Sequence, residues 1–261
     1  MIRRATAGLL CAALGASAAS VAIVQVAAAQ EPSKVTVKGR LLGGEFLMNP
    51  VWKEAKDPKR HRYTFRQPST TVSKNAKKLT AYLPKEVAVV ALGDGPRPSG
   101  PFPVHLSGGR TTPVTIVVAE GQNVQFINHD PFPHMLYSVD QAAGALGPEK
   151  TDIQKQRTWK PPKVGVYEIR DKMFPSVRSW VVVEPKVVAV GQPNTKGEFL
   201  VPNVPPGSYE LRAFFNGQPV GEALKVDVKP GPELQLQPNP LVVAKKPDKD
   251  DDKDDAGKEG N

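Results

Sequence analysis

Two histidines, His129 and His134, and two methionines, Met135 and Met173, carry the metal chemistry open to this sequence. Imidazole is a good ligand for copper and zinc, and a soft thioether suits Cu(I). If these four side chains converge, they form a plausible copper site. The alternative is that His134 is a polar residue at one end of a fold, hydrogen-bonded or exposed. A thiolate is missing from either picture. The sequence has one cysteine, Cys11, and it lies in a segment expected to be removed. There is no Ser-His-Asp set with supporting motifs, no pair of catalytic carboxylates on a recognisable scaffold and no phosphate loop. The chain is therefore expected not to be an enzyme.

Cys11 belongs to the leader. Met1-Ile2-Arg3-Arg4 is a short basic end, Ala5 to Val26 is apolar and alanine-rich, and Ala27-Ala28-Ala29 follows. That order is the order of a secretory signal peptide. Residues 1–29 are assigned to it, with cleavage before Gln30 and a periplasmic or secreted destination. A retained membrane anchor is the competing reading, but the run is poor in Leu and Ile, so its drive to stay in lipid is weak. Gly8-Leu9-Leu10 lacks the small residue that a lipoprotein signal needs beside its cysteine. After cleavage no disulfide, thiolate nucleophile or thiolate ligand can form. No later segment is apolar enough to span a bilayer.

The formal net charge is +9. Without Arg3 and Arg4 it is +7, and the five lysines and eight acidic residues after Pro230 leave the body from Gln30 to Pro230 at +10. Such a body attracts an anionic polymer or surface, or an acidic envelope protein. A basic surface that only aids solubility is the simpler reading. No basic helix or aromatic-basic pattern points to nucleic acid. His61, in Lys59-Arg60-His61-Arg62-Tyr63, sits in a basic loop or an anion-binding patch. Trp52, Trp159 and Trp180 share no spacing and read as core packing.

Strands must carry these residues. The sequence has 27 prolines and 22 glycines, and proline is at about twice its usual share. Between them lie short runs of β-formers: Val35 to Val37, Val87 to Leu92, Val114 to Val118, Val124 to Ile127, Val164 to Ile169 and Trp180 to Val183. Asn123 to Ile127 alternates as a half-buried strand does. No helical period stands out. The fold class is all-β, a Greek-key sandwich. Residues 30–185 are assigned to it. A small β-unit over 186–229 has strands at Gly197 to Val201, Tyr209 to Phe215 and Ala223 to Val228; it is too small to hold a secure core alone and is expected to pack on or extend the sandwich. Residues 230–261 are rich in Pro, Lys and Asp and are predicted to be a disordered tail.

Val114 to Asp140 carries a resemblance. Two strands joined by Glu120-Gly121-Gln122 deliver Asn128, and Phe132-Pro133-His134 follows. This resembles the plastocyanin-like branch of the cupredoxin family, in which the histidine at the position of His134 is a copper ligand. The resemblance implies a cysteine, a second histidine and usually a methionine on one later loop. Aligned there, Arg170 stands at the cysteine, Phe174 at the histidine and Val177 at the methionine, with the spacing one residue too long. Arg170, Lys172 and Arg178 also place positive charge beside His134. A blue-copper centre is thus not expected, and no cofactor is, with copper held by His134, His129 and Met173 as the alternative. Gly197-x-Phe199 with Val204-Pro205-Pro206-Gly207-x-Tyr209 is similar to carboxypeptidase-regulatory-like modules and to the C-terminal extension of cupredoxin-like proteins of the methylamine-utilisation type. The lost ligands, the basic body and the acidic tail point to a non-catalytic envelope protein that binds a protein, polymer or surface; the alternatives are a periplasmic copper-binding or electron-transfer protein, as the resemblance implies, and an enzyme of unrecognised type.

Overall fold

Uninterrupted apolar runs explain the layering. The structure, a computed structural model, describes residues 34–48 and 80–246. The expected leader, Trp52, His61 and the stretch after residue 246 lie outside the described residues. In chain order the strands are β1 (Val35–Leu42), β2 (Val87–Leu92), β3 (Phe102–Ser107), β4 (Arg110–Thr112), β5 (Thr115–Ala119), β6 (Val124–Asn128), β7 (Leu136–Ser138) and β8 (Gln156–Trp159). They continue with β9 (Gly165–Asp171), β10 (Arg178–Glu184), β11 (Val187–Pro193), β12 (Glu198–Val204), β13 (Gly207–Phe215), β14 (Gln218–Val228), β15 (Glu233–Gln235) and β16 (Leu241–Val242). The only α-helical segment among the described residues is the single turn Leu83–Glu86. The all-β class expected from the sequence is the class observed.

Two four-stranded sheets, β5-β10-β9-β7 and β4-β3-β6-β8, face each other as a sandwich. Its core holds Val104, Leu106, Phe126, Ile169, Val181 and their neighbours. Strand β6 shows how the sequence sets this. Val124, Phe126 and Asn128 point inward and are buried, while Gln125 and Ile127 are half-exposed, as the two-residue strand period requires.

A larger sheet has the order β14-β13-β2-β11-β12-β1-β15, with β16 pairing to β1. Its inner face buries a second core that includes Val37, Val89, Phe199, Leu211 and Leu241. Strand β2 is apolar throughout because both of its faces are covered. Val87, Val89 and Ala91 enter that core, whereas Ala88 and Val90 turn the other way. There they meet Val117, Ala119, Val182 and Phe214 in a third apolar layer between the large sheet and the sandwich. Strands β5 and β10 are shared in the same manner: Ile116, Val118, Val181 and Val183 serve the sandwich core, and Val117, Ala119 and Val182 serve the layer between.

Two expected boundaries are corrected. The sandwich does not take in the whole of residues 30–185, and the small unit is not confined to 186–229. Strand β2 inserts between β13 and β11, and β1 pairs with β12. A forty-residue unit cannot bury enough apolar surface alone; here it recruits strands from the N-terminal part of the chain. The predicted tail also begins too early. Within residues 230–246, β15 and β16 pair in parallel with β1, and Leu241 is buried in the second core. Leu234, Leu236, Leu241 and Val243 supply apolar contacts there that the Pro-rich composition concealed.

Candidate functional site

Strand β6 ends on Asn128, whose side chain is buried and braces the loop that follows. Its Nδ2 donates to the carbonyls of Phe132 at 2.9 Å and Asp152 at 3.1 Å, and its Oδ1 accepts the amide of Asp130 at 2.9 Å. An Asx-type turn of this kind fixes the chain direction where no strand partner is present. His134 then pairs backbone to backbone with Thr151, at 3.0 and 2.7 Å. The result aims the His134 ring into the end of the sandwich, where it is 0% exposed.

Two carboxylates hold that ring. Nδ1 lies 2.7 Å from Oδ2 of Asp171, and Nε2 lies 3.0 Å from Oδ2 of Asp130. Each contact needs a proton, and a neutral imidazole carries one. The three groups therefore share two protons and carry a net charge of −1. That charge is buried, and burying it is costly unless every remaining lone pair is met. Backbone amides meet most of them. Asp130 accepts Gly108 N–H at 2.6 Å and Gly109 N–H at 2.9 Å. Asp171 accepts Met173 N–H at 2.6 Å, Phe174 N–H at 3.1 Å and Met135 N–H at 3.3 Å. The Gly108-Gly109 hairpin turn has positive φ at both residues, 62° and 65°, which glycine adopts without steric cost. Phe132 and Phe174 stack at 4.2 Å between centroids, and each lies just over 5 Å from the imidazole. The cluster thus ties together the β3–β4 turn, the loop after β6 and the loop after β9.

Burial works against ionisation of Asp130, but the Gly109 amide, the His134 ring and the Gly108 amide outweigh it. Together they hold the carboxyl below its ordinary range. A depressed folded-state pKa stabilises the fold above the unfolded value, about 3.9 for aspartate. That contribution is lost as pH falls through the folded value. Denaturation midpoints measured from pH 7 downward should therefore fall below about pH 4, and they should fall less steeply in Asp130→Asn. Equal slopes in the two proteins would show that Asp130 does not carry this dependence.

The position facing His134 is Asp171, which corrects the expectation for Arg170. In β9 the buried residues are Tyr167, Ile169 and Asp171, so Arg170 points outward by the strand period. Arg170 Nε donates to Glu168 Oε1 at 2.7 Å, and Arg178 Nε donates to the same oxygen at 2.9 Å. Lys172 lies over the Tyr137 ring, 4.4 Å from its centroid. These cations lie on the outer side of the sheet and do not surround His134. Moving the first position to Asp171 also removes the surplus residue, leaving Asp171, Phe174 and Val177. Phe174 packs on Phe132, and Val177 is buried in the sandwich core.

The other candidates do not join the cluster. Met173 contributes its amide to Asp171, and the residue is 44% exposed. His129 meets His105 instead, with Nδ1 of His105 2.8 Å from Nε2 of His129. Type 1 copper does not fit the residues present. Asp171 stands where a thiolate is needed, Phe174 and Val177 offer no donor atom, and both nitrogens of His134 are already bonded. Trp159 and Trp180 are buried, as packing requires. The sequence reading missed Asp130, Asp171, His105 and the Gly-Gly turn. Counting β9 in steps of two from Tyr167 would have found Asp171.

No family model matches the chain, and neither does any curated protein. Among solved structures the chain is similar to a mutant of amicyanin in its reduced state, at 19% identity over 38% of this chain and 100% of that one, TM-score 0.31. A second amicyanin mutant matches at 21% identity over 37% of this chain and 98% of that one, TM-score 0.31. A purple cupredoxin from Nitrosopumilus maritimus matches at 17% identity over 32% and 99%, TM-score 0.28.

Proposed function

We propose that this chain is an exported, non-catalytic cupredoxin-like module that has exchanged copper for a structural ion cluster. It serves by binding an envelope protein or an anionic polymer through its basic body. One observation carries this reading: His134 is fully buried with a carboxylate on each ring nitrogen. A metal ion would have to displace a proton and break a charge-assisted hydrogen bond to reach either nitrogen. The cluster binds chain to chain and leaves no open coordination position, so its role is to lock three loops. The charge of the body, +10 between Gln30 and Pro230 when the charges beyond are removed from the total of +9, supports an anionic partner.

Copper titration of the tag-free protein tests the first half. His134→Ala is expected to leave the stoichiometry and affinity of any bound Cu(I) or Cu(II) unchanged. One-to-one saturable binding that disappears in His134→Ala would restore the copper-carrier reading. Crosslinking in the envelope at native expression tests the second half, and recovery of the protein with no partner would count against it.

A further inference from the structure

We propose that His105 and His129 form a surface chelate for a divalent first-row metal of tetragonal preference, Cu(II) first. The pair lies on the outer face of the sandwich, exposed where the neighbouring ion cluster is buried. His105 sits in β3, between β4 and β6, paired with Thr112 and Ile127. Val104 and Leu106 on either side of it are buried, and His105 itself is exposed. His129 follows β6 directly; its amide donates to the carbonyl of Leu106 at 2.9 Å. Its neighbours are anchored as well, Asn128 by its own side chain and Asp130 by the ion cluster. Two imidazoles are thereby presented to solvent from backbone that is fixed at both positions.

Nδ1 of His105 and Nε2 of His129 stand 2.8 Å apart. Metal–nitrogen bonds of about 2.0 Å set cis ligands of a square plane about 2.8 Å apart, and ligands of a tetrahedron about 3.3 Å apart. The 2.8 Å here is that of an N–H···N hydrogen bond, close enough that a small pivot of the rings lets both nitrogens reach one ion. The rings now meet end-on through a proton, with centroids 5.1 Å apart and planes 22° from parallel. Metal binding needs that proton to move to the other nitrogen of its ring. It also needs the exposed rings to pivot, so that both lone pairs meet at a point on the solvent side. Neither change disturbs the core. Water completes the coordination, and Cu(II) leads because it heads the order of affinity for nitrogen ligands.

The test is titration of the tag-free full chain with Cu(II) against a glycine competitor. One ion per chain is expected. Binding should weaken at least tenfold in His105→Ala and in His129→Ala, and stay unchanged in His61→Ala. Thermal melts check that the variants fold. In the wild-type protein, Cu(II) should broaden the ring signals of His105 and His129 before those of any other histidine. Wild-type affinity in both alanine variants, or no saturable binding by the wild type, would overturn the proposal. Loss of binding in His134→Ala with wild-type behaviour in the other two would overturn this site and the copper-loss reading together. Loss confined to the pair leaves the copper-loss reading intact.

Discussion

Asp171→Ala is expected to destabilise the protein by about 3–5 kcal/mol, the usual cost of removing one partner from a buried ion pair. The loss has two parts. The Nδ1 proton of His134 is left without an acceptor in a site that water does not reach. The amides of Met135, Met173 and Phe174 also lose theirs, and an unmet buried donor costs about 1–3 kcal/mol. Asp171→Asn keeps one acceptor oxygen and should lose less than Asp171→Ala. Urea denaturation at pH 7 reads both. A loss below about 1 kcal/mol for Asp171→Ala would mean that the cluster contributes no more than an ordinary hydrogen bond.

Phe214→Ala is expected to cost a similar amount, about 3–5 kcal/mol, through a different mechanism. Phe214 is 1% exposed and lies in the apolar layer with Val117, Ala119, Val182 and Val187. It projects from β13 on the side opposite Leu211 and Ala213, which serve the second core. Truncation leaves a cavity between the large sheet and the sandwich. The neighbours cannot collapse into it, because each is fixed in a strand that also builds another core. Fluorescence and far-ultraviolet circular dichroism should still report one coincident transition, at lower urea. Two separated transitions would show that the layers fold independently and that the shared strands do not couple them.

Much of the architecture is legible in local pattern. Nine of the strand segments can be read from β-forming runs, and the alternation in β6 identifies its buried face. The full burial of β2 is visible in Val87-Ala88-Val89-Val90-Ala91. What such runs do not encode is partnership. A doubly buried strand fits any sheet that is covered on both sides, so β2 gives no sign that it lies between β11 and β13. Strands β15 and β16 are three and two residues long, too short to show a period, and their prolines resemble those of a linker.

The site divides along the same line. His134, the Asn128 that ends β6 and the lack of a cysteine on the loop after β9 follow from the order of residues, because each is a local fact. The chemistry at His134 does not. Its two carboxylates stand 4 and 37 residues away, and His105 is 24 residues from His129. Pairing of β7 with β9 and of β3 with β6 brings them together. A shift of one residue in β9 would have turned Arg170 inward and Asp171 outward. The order of residues puts no cysteine on the loop after β9, but long-range strand register is what places a carboxylate, and not a cation, against the buried histidine.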